Sequence, residues 1–144
     1  MTLRVLLLLA LAGTALAFKP RASFSAVLSV PPHLRAGPVP VSVNVMNHTG
    51  QDVTLSLPRD SRQFCAAAPH IRILRVGTRE VVYPLAYTDR MCTMDMVSTV
   101  LKAGTVVPFT RSVTLPKGHY LIEAWIPGVN GQKLRTPYRV FKVQ

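Results

Sequence analysis

From Ala22 to Val143 the chain alternates apolar and polar residues in one segment after another. A period of two is what a strand with one buried face requires, because successive side chains point to opposite sides of a sheet. Ala22, Phe24, Ala26, Leu28 and Val30 alternate with Ser23, Ser25 and Ser29 until Pro31-Pro32 closes the run. Val39, Val41, Val43 and Val45 follow, opposed by Ser42 and Asn44, up to the turn signal Asn47-His48-Thr49-Gly50. Val53, Leu55 and Leu57 alternate with Thr54 and Ser56 and stop at Pro58. Segments 70–76 and 79–85 flank Gly77-Thr78, which predicts a hairpin with a two-residue type II′ turn. Further strands are expected at 97–101, 105–113, 119–126 and 133–143, separated by turns at 102–104, 115–118 and 127–132. Pro108 predicts an edge strand or a bulge, since proline cannot donate to a ladder. No segment carries a helical period, and there are no repeats.

Eight or nine short strands divided by Gly and Pro turns define an all-β, immunoglobulin-like antiparallel β-sandwich. Tyr120 stands just past a tight turn at the start of a late strand. It is either an ordinary core tyrosine or a tyrosine corner, whose hydroxyl bonds back to the chain a few residues upstream.

The first seventeen residues, MTLRVLLLLALAGTALA, carry one positive charge, an apolar run and a small-x-small end. They read as a secretory signal peptide (1–17), too short to span a bilayer comfortably, leaving one domain at 18–144. No second long apolar run follows, so no membrane span is expected. The location implied is secreted or periplasmic. Without the leader, sixteen Lys and Arg face six Asp and Glu, a net charge of +10. Such a chain is drawn to anionic surfaces. Lys133, Arg135 and Arg139 on the last strand would line one face, with Tyr138 and Phe141 nearby. They form either an anion-binding stripe or the charged guard of an edge strand.

The stretch DRMCTMDM, residues 89–96, crowds Met91, Cys92, Met94 and Met96 together. Soft sulfur ligands suit Cu(I), and Met46 and His48 could join them. The competing reading is a disulfide. Cys65 and Cys92 are the only cysteines, and an exported pair normally bridges. Counted back from the expected hairpin turn, they fall nearly opposite each other, within the reach of a bulge near Pro69 or Pro84. Bridging 28 residues would stabilise the fold by roughly 3.6 kcal/mol in the chain-entropy picture. Asn47-His48-Thr49 fits an N-glycosylation sequon and is equally a turn.

The blocks VSVNVMNHTGQDVTLSL, IRILRVGTREVVY and LKAGTVVPFTRSVTLPKGHYLIEAW resemble, in order, the BsuPI-type intracellular proteinase-inhibitor domain. The best matches are Leu101-x-x-Gly104 and Leu115-Pro116-x-Gly118-x-Tyr120. The resemblance covers about residues 39–143. The chain departs from it at Tyr83-Pro84, where a tryptophan is expected, and in carrying a signal peptide. It implies an immunoglobulin-like sandwich and a protein partner, possession of protease-inhibitory activity being its sharpest form. A loop held at its ends suits an inhibitor, because pre-ordering lowers the entropy lost on binding. The loop at 88–96 is the best held, with Arg90 and Met91 as contacts; Arg59 and Arg62 form the alternative.

No enzyme is expected. The carboxylates are scattered, and there is no GxSxG, phosphate loop or zinc signature. No catalytic residue, cofactor or metal is assigned, and export disfavours nucleic acid. The reading is an exported binding module of the cell envelope with a protein partner, in its sharpest form a protease. The alternatives are a structural or accessory protein binding anionic polymer and, third, a copper protein using Met91, Met94 and Met96.

Overall fold

The computed structural model describes residues 22–85, 91–129 and 131–144. The expected signal peptide lies outside them, as does Arg90. Among the described residues eleven strands are formed: β1 Phe24–Ser29, β2 His33–Leu34, β3 Gly37–Asn47, β4 Val53–Leu57, β5 His70–Arg75, β6 Val81–Tyr83, β7 Val97–Leu101, β8 Val106–Leu115, β9 Gly118–Val129, β10 Gln132–Arg135 and β11 Arg139–Val143. Ser61–Gln63 makes one short 3-10 turn, capped by the Asp60 carboxylate.

Two sheets face each other. The smaller has the order β1-β3-β8; the larger runs β2-β11-β9-β5-β6, with β10 beside the far half of β9. All pairings are antiparallel except β2 with β11. The alternation in the sequence becomes the core. Val39, Val41, Val43 and Val45 of β3 meet Ile71, Ile73, Tyr120, Ile122 and Ile126 of the larger sheet, all essentially inaccessible to water. Each such side chain contributes about 1.5–3 kcal/mol by leaving water.

The β3–β8 pair continues beyond the smaller sheet as β4–β7, a two-stranded ribbon. The ribbon bends at Asn47, where Asn47 N–H donates to Thr105 O (3.3 Å) and Gly104 N–H donates to Asn47 O (3.0 Å). The Asn47 amide pins the bend. Its Nδ2 donates to Leu101 O (2.9 Å) and Gln51 O (2.8 Å), and its Oδ1 accepts from Thr49 N–H and Oγ1. The side chain is fully buried. The sequon therefore folds as a turn, with its amide committed to the interior.

Tyr120 forms the corner: its hydroxyl donates to Pro116 O at 2.8 Å. Gly118 leaves room for that ring, since a Cβ there would stand 2.9 Å from the hydroxyl oxygen. Pro108 sits on β8, an edge strand, where its missing N–H is harmless.

Several expectations change. The hairpin turn has four residues rather than two. Arg75 N–H donates to Glu80 O (2.8 Å) and Arg79 N–H to Arg75 O (3.0 Å), with both Gly77 and Arg79 at positive φ. A type II′ turn would need only the glycine there. The compensating register shift falls between Ile73 and Leu74, opposite 81–83, and so near Pro84, one of the two places expected. β9 runs through Pro127 to Val129, and β2 was not foreseen. The last strand is broken at 136–138, where Thr136 N–H and Oγ1 both donate to Ala124 O and draw the chain out of register. Among the described residues no helix is long and apolar enough to cross a membrane.

Candidate functional site

Strand parity sets the outer face of the larger sheet. Tyr120, Ile122, Ala124 and Ile126 of β9 point inward, so Leu121, Glu123 and Trp125 point out. Register then builds rows across the strands. Val81, Leu74, Leu121 and Val140 are successive cross-strand neighbours on β6, β5, β9 and β11. Four apolar side chains thus form a continuous stripe on a solvent face, where an antiparallel sheet ordinarily places polar ones. Val140 is 56% exposed, and Tyr138, at the rim, is 63% exposed. A groove of about 700 Å³ runs over Leu74, Leu121 and Val140 of this stripe, walled by Arg72, Arg75, Arg79 and Tyr138.

Rows of charge flank the stripe. On one side Arg72 donates to Glu123 across the strands (Nε to Oε2, 2.7 Å). One row further, Trp125 stands between His70 and Arg135. Lys133 Nζ lies 5.3 Å from the Trp125 ring centroid, a cation–π contact, and His70 meets the ring edge-on. On the other side Lys142 pairs with His119. Among the described residues no carboxylate lies within 4 Å of Arg79, Lys133, Arg135 or Lys142. Burial lowers the His70 pKa against the opposing pull of Asp60, so the face holds a histidine that favours neutrality.

Of the basic residues expected on the last strand, the structure brings Lys133 and Arg135 to this face but not Arg139. Arg139 pairs with buried Ile122 and so starts β11 on the opposite side; Phe141 is in the core. The break at 136–138 separates them. The stripe itself was missed. Its signal was legible in LIEAW, where Leu121 and Trp125 occupy the positions that alternation assigns to solvent.

The second candidate region is the disulfide corner. Cys65 and Cys92 are bridged, with Cα atoms 5.5 Å apart. Arg59 is not a free contact residue. Its guanidinium grips Asp95 in a two-point ion pair (Nε to Oδ1 and Nη2 to Oδ2, both 3.0 Å) and donates to Cys65 O (3.3 Å). Arg59 and a hydrogen bond from Thr93 hold the Asp95 carboxyl down at about 2. Bridge and ion pair therefore tie the 59–65 loop to the 92–95 loop twice. Beside this tie Met91 and Met94 extend fully into solvent and Met96 is half exposed. His48 Nε2 is engaged with Ser25 Oγ at 2.7 Å. Arg62 is exposed, and its backbone N–H caps onto Asp60.

A third arrangement was not anticipated. Arg111 occupies an inward position on β8, between Phe109 and Val113. Its Nη1 donates to Gln63 Oε1 (2.7 Å) and Pro69 O (3.2 Å), and its Nη2 to Gln63 O (3.2 Å) and the Tyr83 hydroxyl (2.5 Å). Gln63 is itself buried, donates to Asp60 and accepts from Ile71 N–H. Burial pushes the Arg111 pKa below the usual guanidinium range and the Tyr83 pKa above the usual phenol range. A basic residue in an otherwise apolar inward series was the available signal.

No protein-family model matches the chain, and no curated protein matches it. Among solved structures it is similar to a β-glucosidase from Listeria innocua in complex with glucose, at 12% identity and a TM-score of 0.47. That match covers 83% of this chain and 16% of the glucosidase. It is also similar to the Pseudomonas fluorescens alkylpurine DNA glycosylase AlkC bound to DNA containing an abasic site analog, at 14% identity and a TM-score of 0.43. Here 85% of this chain and 31% of the glycosylase are covered. The chain thus spans less than a third of either protein, and likeness at this level assigns it no activity.

Proposed function

We propose that the chain is an exported binding module of the cell envelope that docks a protein partner with an acidic face on the outer side of its larger sheet. The leader-like N-terminus and the disulfide, which fits an extracellular location, support export. The observation that carries the docking surface is the stripe Val81–Leu74–Leu121–Val140 set between the Arg72–Glu123 row and the His119–Lys142 row, with Lys133 and Arg135 beyond. Contiguous exposed apolar surface rimmed by charge is characteristic of interaction sites. The stripe favours a protein over an anionic polymer, since a polymer would need only the charges.

The test places a photo-crosslinking residue at Val140, with another at Thr54 on β4 as control, in cells that export the protein. A discrete adduct from Val140 alone, lost on Leu121→Ser, is expected. Equal labelling from both positions refutes the docking surface. Salt-labile retention on heparin that falls with Lys133→Gln and Arg135→Gln but ignores Leu121→Ser would instead favour the polymer-binding reading.

Protease inhibition is a second reading, favoured by one feature: the doubly tied corner beside protruding Met91. Arg59 serves there as a brace rather than a specificity residue. Inhibition of a serine-protease panel that Arg59→Ala and Asp95→Ala weaken equally fits this role. Inhibition that Arg59→Ala alone abolishes would make Arg59 the contact.

A further inference from the structure

We infer that the cleft between the edge strands β6 and β8 is a separate ligand site, which takes an apolar group ending in a carboxylate. The two sheets part here because β6 and β8 are the outer strands of their respective sheets. Between them lies a pocket of about 460 Å³ with apolar walls from Phe64, Val82, Leu85 and Val113 and a polar lip at Ser112 and Thr114. Arg111 and Tyr83 also line it.

The chemistry of those two residues selects the ligand. Arg111 is a cation in a desolvated position, yet no carboxylate of the described residues lies within 4 Å of it. Asp60 acts on it from beyond 4 Å and shares Gln63 with it as a hydrogen-bond partner. Its four terminal N–H groups are satisfied by neutral oxygens, which fix the guanidinium plane before any ligand arrives. Its Nε–H is closed to solvent and has no acceptor among the described residues. The Tyr83 hydroxyl accepts from Arg111, while its own hydrogen has no acceptor among the described residues. A buried donor without a partner destabilises the site that holds it. A carboxylate lowered beside Arg111 accepts from the Tyr83 hydroxyl and brings a negative charge to contact distance of the guanidinium, while its apolar body covers the walls. The strongly basic chain steers anions toward the mouth. Neutral ligands of the same shape gain only the walls.

The shared chemistry fits a free small carboxylate or the C-terminus of an extended chain, and β8 offers the latter an open edge. The test titrates 4-phenylbutyrate and its neutral alcohol, 4-phenylbutanol, into the disulfide-intact protein, followed by backbone amide NMR. The acid is expected to shift Val82, Ser112, Val113 and Thr114 and to bind at least about tenfold more tightly than the alcohol, the step that 1.4 kcal/mol represents. Tyr83→Phe should lose most of that preference. Ser112→Glu, at an exposed lip position, should weaken the acid alone. A second arm compares the peptide acetyl-Ala-Thr-Val-Phe with its C-terminal amide. A peptide acid tighter than phenylbutyrate names a chain terminus as the source; a weaker one names a free carboxylate. Equal affinity for acid and neutral form in either arm overturns the inference. So do shifts confined to Arg72, Leu121 and Val140, which belong to the sheet face.

Discussion

Replacing Asn47 by aspartate exchanges one side-chain atom group, NH2 for oxygen, and leaves shape almost unchanged. The consequence is large because both amide hydrogens are in use. One holds Leu101 O, on a residue wholly shielded from water; the other holds Gln51 O, which is exposed and can turn to solvent. Loss of the buried partner should cost about 1–3 kcal/mol and of the exposed one about 0.5–1.5 kcal/mol, roughly 2–4 kcal/mol together. For a domain of this size that is a fall in Tm of about 8–16 °C. The sign of the pH dependence is fixed as well. A carboxylate pressed against two carbonyl oxygens is disfavoured in the folded state, so its pKa there rises above the ordinary value of about 3.9. The Asn47→Asp protein is therefore closest to wild type below about pH 4 and loses stability as pH rises through the raised folded pKa. Urea or thermal unfolding at pH 4 and pH 7 measures both effects. Asn44→Asp, three residues away and half-buried on the other side of β3, is the control and should change little. A loss below about 1 kcal/mol at pH 7, or no difference between the two pH values, would refute the claim that this amide pins the ribbon. The same geometry predicts that folded protein from a glycosylating host is unmodified at Asn47 by intact mass.

Gly118→Ala should destabilise by about 2–4 kcal/mol, combining loss of the Tyr120 corner bond with overpacking. In that background Tyr120→Phe should cost less than in wild type, and additive effects in the double-mutant cycle would show that the two do not meet. Reduction of Cys65–Cys92 should lower stability by roughly 3–4 kcal/mol in denaturant unfolding, and the native oxidised protein should show no titratable thiol. Asp95 should titrate at about 2 by carboxyl NMR and return toward 3.8 in Arg59→Ala. Because its folded pKa is depressed, what the ion pair adds is present above pH 3.8 and is lost as pH falls through about 2. The His70 pKa is also depressed, so stability should decline as pH drops below about 6.5, an effect absent in His70→Gln.

The strands were legible because burial on one face writes itself into the sequence every second residue. β3, β4, β7 and β8 fall where the valine and leucine alternation put them, and the Gly118-x-Tyr120 corner follows from local turn geometry. The features that escaped depend on partners distant in sequence. The break at 136–138 arises from Thr136 bonding Ala124, and nothing near Thr136 announces it. Arg59 looked like an exposed contact because its partner, Asp95, lies 36 residues away. At Asn47 the sequence left a sequon and a turn equally open, and the buried amide that decides for the turn bonds Leu101, 54 residues away. The outer-face stripe was different in kind: its residues were visible, but only cross-strand register places Leu74, Leu121 and Val140 in one row.

The bent ribbon also constrains the order in which the chain can fold. Its β4–β7 end joins Leu57 to Val97, 40 positions apart, whereas its far end joins Gly37 to Leu115, 78 apart. Closing the shorter loop first and zipping outward is the less costly route, since non-local pairings must overcome loop entropy before they are rewarded. The disulfide sits inside that shorter loop, eight positions after Leu57 and five before Val97. Once Cys65 and Cys92 are joined, the path from β4 to β7 shrinks to about a third of its length. That removes about 1 kcal/mol from the closure step, roughly a fivefold gain in rate. The bridge is then a kinetic organiser as well as a brace, and the moment of its oxidation would set the pace at which the whole sandwich assembles.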